Sequence, residues 1–264
     1  MARMRLPERA SGGARPSPPR PAAFPAADVA YDAAVNLRPS ASRSAPSRAA
    51  GRVVAIVPVG GLEGAKSRLG DTLDAEERRD LTIGLLTRTL EAIYNSPGIA
   101  ETIVITPDND VRRLALAAGA RPLRQRSQGL NRGLREARDE ALARGATAIA
   151  IVPVDLPLIS PEAIAGLLAP LADPGVDPSL DPGRPLVVLV PDRHGRGTNA
   201  MLVAPPDAIE FQFGGDSRAA HADCAREAGA RLVELADSAL ALDLDTPDDL
   251  LLVEGMAPEA VDAL

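Results

Sequence analysis

From residue 52 onward the chain alternates short apolar runs with longer segments of helical periodicity. Residues 53–59 (VVAIVPV) and 148–154 (AIAIVPV) are apolar throughout. That continuity, rich in β-branched residues, predicts strands buried on both faces of a parallel sheet. Residues 75–94 place Leu81, Leu85, Leu86, Leu90 and Ile93 at helical spacing, and Asp74 followed by Glu77 predicts a capping box at the helix start. Further strands are predicted at 102–106, around Pro122 and Leu123, and at 186–190, 200–203 and 240–244. Helices are predicted at 111–118, 131–143 and 217–228, with others opened by Ser160-Pro161-Glu162 and Thr246-Pro247. Residues 171–184, rich in Pro, Asp and Gly, predict a long loop. The alternation of strands with helices predicts an α/β fold, a three-layer α/β/α sandwich with a mostly parallel sheet. Ligands of such sheets bind beyond the carboxyl ends of the strands.

Composition narrows the class. Residues 1–50 hold eight Arg and three acids among many Pro, Ala and Ser, without periodicity, and read as a disordered extension. Residues 51–264 hold 21 basic and 33 acidic residues and form the one folded domain expected. An acidic body opposes duplex nucleic acid, whose binding rests on phosphate neutralisation. With 2% aromatics and no Trp, stacking platforms for single strands are also disfavoured. One cysteine (Cys224) and two histidines (His194, His221) allow neither a disulfide framework nor a zinc site, and fit a reducing, cytoplasmic setting. No apolar run approaches a membrane span, and the sequence leaves a homodimer open.

Three segments carry candidate chemistry. The first predicted strand runs into Gly60-Gly61-Leu62-Glu63-Gly64-Ala65-Lys66-Ser67-Arg68. Glycines let backbone N–H groups approach phosphate oxygens, while Lys66 and Arg68 supply positive charge. This is a near miss for a P-loop, because Ala65 stands where glycine is required. Asp155 follows the strand of residues 148–154, and Asp243 and Asp245 sit at the end of that predicted at 240–244. Spacing of two places the latter pair on one strand face. Three hard carboxylates suit Mg²⁺, although each alone also reads as a cap or turn residue. Between the later strands, Thr198 follows a Gly-rich link, and Gly214-Gly215-Asp216-Ser217 opens a helix. Ser217 there meets the positive end of the helix, a place for a small anion. His221 is given no chemistry.

Taken as a set, PVGGLEGAKSRL, VITPD, GLN, PVDLPLI, PDRHGRGTNAML, FGGDS and LDLDTPDDL resemble the guanylyltransferases of coenzyme F420 biosynthesis, over about residues 52–254. The resemblance implies a nucleotide-diphospho-sugar transferase-like fold. It implies transfer of GMP from GTP to phosphoenolpyruvate, or to 2-phospho-L-lactate, with release of pyrophosphate. The Arg-, Ala- and Pro-rich composition favours a bacterial source and hence phosphoenolpyruvate; no single residue carries that choice. By similarity Thr198, Gly214 and Ser217 match the acceptor-binding positions. Asp155, Asp243 and Asp245 match the metal-binding acids, with Asp155 and Lys66 as the catalytic pair. Gly60, Gly61, Lys66 and Arg68 fall where the triphosphate is held, and Asn131 follows Gly129-Leu130 where guanine is expected. A sugar-1-phosphate nucleotidyltransferase and a GTP-binding module without turnover remain alternatives.

Overall fold

The computed structural model describes residues 51–172 and 183–258. The extension expected over residues 1–50 and most of the loop expected over 171–184 lie outside the described residues. Among the described residues seven strands form one sheet: β1 (Val53–Pro58), β2 (Ile99–Thr106), β3 (Arg121–Arg124), β4 (Ala148–Ile151), β5 (Leu186–Pro191), β6 (Thr198–Ala204) and β7 (Arg231–Glu234). Their order is β3-β2-β1-β4-β6-β5-β7, and β6 alone runs against the rest. The α/β/α sandwich and mostly parallel sheet read from the pattern are therefore present.

Helices cover both faces, sorted by the two-residue alternation of the strands. Val53, Ala55 and Val57 of β1 face α1 (Ala75–Tyr94), α2 (Asn109–Ala117) and α4 (Pro161–Leu168). Val54 and Ile56 face α3 (Leu130–Ala143) and α5 (Ser217–Glu227), where Leu134, Ala137, Phe211 and Ala225 close the second core. A single turn, α6 (Ser238–Ala241), and α7 (Pro247–Met256) are the last elements among the described residues. No helix among the described residues is long and apolar enough to cross a membrane.

Caps start these helices where the sequence places them. Asp74 and Glu77 form the predicted capping box, with the Asp74 carboxylate accepting from the Glu77 N–H at 2.9 Å. Ser160 accepts from Ala163 at 3.2 Å. Thr246 and Asp249 form a second box at α7.

Two differences matter for the site. The strand expected at 240–244 is not one. Asp237 accepts the N–H groups of Ala239 and Leu240 at 2.9 and 3.0 Å and so starts the helical turn α6. The chain then passes irregularly to Asp245, touching β4's exit by one bond, from Leu244 N–H to the Asp155 carbonyl at 2.8 Å. The alternating leucines that suggested a strand are buried in different places. Leu240 enters the large core on the side of β5 and β6, while Leu242 and Leu244 enter a small third core with Leu69, Leu73, Leu81, Leu85, Leu250 and Val253. In addition, β7 is an edge strand of four residues, half of them exposed, too short and polar to announce itself in the pattern.

Candidate active site

The strand order reverses at β1, which has β2 on one side and β4 on the other. Loops leaving β1 and β4 diverge there and open a crevice. The reversed strand β6 begins at this same edge, because Met201 pairs with Ile151 at the end of β4 and the chain before it overhangs. Thr198, at the start of β6, is thereby carried to the exit of β4. A cleft of about 580 Å³ results, lined by Arg68, Asp155, Asp192, Thr198, Asn199, Phe213, Gly214, Ser217, Asp243 and Asp245 among others.

One wall is the loop after β1. Asp108, at the N-cap of α2, accepts the Leu62 N–H at 3.0 Å and ties the loop to the neighbouring β2 exit. Burial opposes ionisation of Asp108. The N–H donors of Leu62, Asp110 and Val111 outweigh it and hold the carboxyl below the ordinary range. Lys66 adopts a left-handed backbone (φ 49°), which costs about 1–3 kcal/mol in a non-glycine residue. From it Nζ reaches Asp245 Oδ1 at 2.9 Å and Asp155 Oδ2 at 3.9 Å. Arg68, largely exposed, reaches the other Asp245 oxygen at 3.6 Å. A side chain at Gly60 or Gly61 would meet nothing within 4 Å, so packing does not demand glycine there. The open backbone leaves room for a ligand against it.

The acidic trio is assembled without a strand. Leu69 of the first loop and Leu244 share the third core, so burying Leu244 sets Asp243 and Asp245 beside the loop that carries Lys66. Burial pushes the Asp155 carboxyl up, Lys66 draws it down, and repulsion from Asp245 and Asp243 adds to the rise. Three hard oxygen donors that disfavour one another's charge are suited to a small cation. Among the described residues, however, no three acids or histidines stand in ready metal-binding geometry. The Lys66 ammonium lies between Asp155 and Asp245 instead.

The opposite wall carries the acceptor candidates. Gly214 has φ 153°, a backbone open to glycine, and Ser217 begins α5. Asp216 stands at the N-cap but does not cap; it pairs with Arg196 at 2.8 Å on the surface. At this helix start the N–H groups of Ser217 and Arg218 donate to the carbonyls of Gly214 and Arg196, at 3.2 and 3.0 Å. Thr198 and Ser217, both buried, line the cleft.

A second hollow of about 400 Å³, lined by Pro58, Val59, Gly60, Pro107, Gln125, Ser127, Gln128, Gly129 and Leu130, shares Pro58, Gly60 and Leu130 with the cleft. Gln125 donates to the carbonyls of Ser127 and Gly129 at 2.8 and 3.1 Å, and Glu136 accepts the N–H groups of Arg126 and Ser127. Gly129 and Leu130 line this hollow. Asn131 is turned elsewhere. Its amide donates to the Phe213 carbonyl at 3.0 Å and accepts the Phe213 N–H at 2.9 Å, clamping the loop that leads to Gly214.

The structure adds residues that the motifs did not single out. Arg193 pairs with the nearly buried Asp249 at 2.5 Å, joining the β5–β6 link to the start of α7. Asn199 donates to the Ala241 carbonyl at 2.9 Å, beside Asp243. His221, fully buried, contacts Thr198. Only the PDRHGRGTNAM and TPDD strings hinted at the first two.

Comparison with known proteins identifies the family. The profile of the family described as "Guanylyl transferase CofC like" matches residues 53–257. A phosphoenolpyruvate guanylyltransferase from Sphaerobacter thermophilus is 44% identical over 205 residues, covering 78% of this chain and 94% of its own. Another from Rubrobacter xylanophilus is 41% identical over 202 residues, covering 76% and 93%. Among solved structures, a nucleotide-diphospho-sugar transferase candidate from Desulfovibrio desulfuricans G20 superposes with a TM-score of 0.59 at 16% identity, covering 77% of this chain and 87% of its own. A 4-diphosphocytidyl-2C-methyl-D-erythritol synthase from Anaerococcus prevotii does so at 0.54 and 11% identity, covering 80% and 97%. These two speak for the fold alone. The profile covers nearly all the described residues, and relatives above 40% identity align over most of both chains: this protein belongs to the CofC-like guanylyl transferase family.

Proposed function

We propose that the protein is a phosphoenolpyruvate guanylyltransferase, converting GTP and phosphoenolpyruvate to enolpyruvoyl-2-diphospho-5'-guanosine and pyrophosphate for coenzyme F420 biosynthesis. The observation that carries this reading is a cleft that joins Arg68, Asp155, Asp243 and Asp245 to a wall bearing Thr198 and Ser217, flanked by a hollow that Gly60, Gly61, Lys66 and Arg68 line and by the hollow beside Gly129. Family membership and the names of the relatives support it.

A phosphate oxygen of phosphoenolpyruvate attacks the α-phosphorus of GTP, a new P–O–P bond forms, and the α–β bridging bond breaks to release pyrophosphate. The nucleophile is already ionised, so the chain supplies no general base. Its task is to align two anions and offset their charge. Lys66 and Arg68, with the open backbone at Gly60 and Gly61, take the triphosphate. Lys66 exchanges its contact with Asp245 for one with phosphate. Thr198, Ser217 and the Gly214 backbone take the acceptor. Guanine occupies the hollow beside Gly129 and Leu130, between aliphatic rather than aromatic walls. Asp155, Asp243 and Asp245 would hold Mg²⁺, which supplies charge neutralisation on the transferring phosphate when it arrives with the nucleotide. We place the enzyme in the cytoplasm, with residues 51–264 as its transferase domain.

The test is an acceptor panel. Pyrophosphate release is measured with GTP, ATP or CTP against phosphoenolpyruvate, 2-phospho-L-lactate and glucose 1-phosphate, with Mg²⁺ and with EDTA. The expected result is turnover with GTP, phosphoenolpyruvate and Mg²⁺. Turnover only with the sugar phosphate, or GTP binding without turnover on any acceptor, overturns the reading.

A further inference from the structure

His221 lies outside the charged machinery, yet it is fully buried and makes two polar contacts that lead to the cleft. Its Nε2 accepts the backbone N–H of Gln212 at 2.9 Å. A ring nitrogen that accepts from an amide cannot itself carry a proton. Burial without a charged partner also holds the ring neutral, drawing its pKa down to about 4. The one ring proton must then sit on Nδ1, which lies 3.1 Å from the Thr198 hydroxyl oxygen. Between Nδ1–H and Oγ1, the hydroxyl is the acceptor. Phe213 packs edge-on against the ring, 4.8 Å between centroids, and fixes its plane.

We propose that His221 is a positioning residue that locks the Thr198 hydroxyl as a hydrogen-bond donor aimed into the acceptor half of the cleft. With one lone pair taken by Nδ1–H, the hydroxyl proton turns toward the space that Thr198 lines. A donor held in that sense favours an anionic oxygen and disfavours a ligand group that can only donate. The device thus selects for the phosphate or carboxylate of the acceptor. It rests on the reading that Thr198 contacts phosphoenolpyruvate.

The test has two arms. Long-range proton–nitrogen correlation spectra of the nitrogen-15-labelled protein at neutral pH report which ring nitrogen is protonated. The chain has only two histidines, so His194→Gln assigns them. The expected result is a neutral His221 with the proton on the nitrogen that couples to one ring carbon proton, Nδ1. A proton on Nε2, or a charged ring, overturns the inference. The second arm compares His221→Phe, Thr198→Val and the double variant in pyrophosphate release. Each single change is expected to raise KM for phosphoenolpyruvate on the order of tenfold, with KM for GTP nearly unmoved and no further loss in the double variant. Additive losses, or equal rises in both KM values, mean that His221 only supports the fold. The spectra use the free wild-type protein, so they decide the inference even if the variants unfold. Failure of the wild type to turn over any acceptor instead removes the transferase reading and leaves the tautomer result standing.

Discussion

Lys66 Nζ and Asp245 Oδ1 meet at 2.9 Å although 179 residues separate them in the chain. Both side chains are at least partly shielded from solvent, with Lys66 only 10% exposed. The contact joins the loop after β1 to the loop before α7, and Asp155 Oδ2 stands 3.9 Å from the same ammonium. Lys66→Met should remove the positive charge that meets the triphosphate and leave three acids facing one another. Turnover is expected to fall on the order of 100-fold or more, while the circular dichroism spectrum stays native. A variant retaining near wild-type pyrophosphate release would remove Lys66 from the catalytic cluster.

Asp155→Asn keeps the shape of the side chain and removes its charge. Turnover should be lost while Mg²⁺ no longer enhances GTP binding. The fold should hold or gain slightly, since burial, joined by repulsion from Asp245 and Asp243, opposes the wild-type charge more than Lys66 favours it. Calorimetric titration of GTP with and without Mg²⁺ checks this, and an unchanged Mg²⁺ effect would contradict the assignment.

Asn131 clamps the Phe213 backbone through both ends of its amide. Asn131→Ala leaves a partly buried N–H and C=O without partners, a loss of about 1–3 kcal/mol. Because the clamped loop continues into Gly214, KM for phosphoenolpyruvate should rise more than KM for GTP. Asn131→Asp should be no better, because it can no longer donate to the Phe213 carbonyl. A selective rise in KM for GTP would mean that Asn131 contacts the nucleotide directly.

His221 also predicts a pH dependence of stability. Its folded pKa, about 4, lies below the ordinary 6.5, so the unfolded chain takes up a proton first as pH falls. The stabilisation from the neutral ring is complete above about pH 6.5 and is lost as pH drops toward 4, by about 3 kcal/mol in all. Urea unfolding at pH 7 and pH 4.5 should show a smaller drop for His221→Phe than for the wild type. Equal drops would mean that the ring is accessible to protons in the folded state.

Leu244 is fully buried between Asp243 and Asp245 in chain order and packs with Leu69 of the first loop. Leu244→Ala should cost about 2–5 kcal/mol, seen as a lower Tm. Activity should fall even well below the Tm, because the two flanking carboxylates lose their anchor. Full activity at low temperature would show that the loop keeps its place without that packing.

Where chemistry is local, sequence and structure agree closely. The uninterrupted apolar runs of β1 and β4, the Asp74–Glu77 box and the Ser160-Pro161 start each depend on residues within a few positions. They read correctly because capping and strand burial are short-range. The acidic and basic residues of the cleft were also visible, as charges at the ends of predicted strands. Other features depend on who neighbours whom. Leu240, Leu242 and Leu244 alternate like a strand, yet the Asp237 cap and two separate cores make them a helical turn and a tether. Asn131 stands in a motif beside Leu130, but Phe213, far along the chain, claims its amide.

The amino-acid sequence by itself determined the α/β class, the position of most elements and the residue types available for phosphate chemistry, since periodicity, caps and charge are properties of neighbouring residues. The tertiary structure alone decided that β6 runs backwards and carries Thr198 to the β4 exit, that the third core sets Asp245 against Lys66, and that Gln212 dictates the proton on His221. Strand direction, packing between distant loops and a buried ring's tautomer are all set by contacts between segments, which no local pattern encodes.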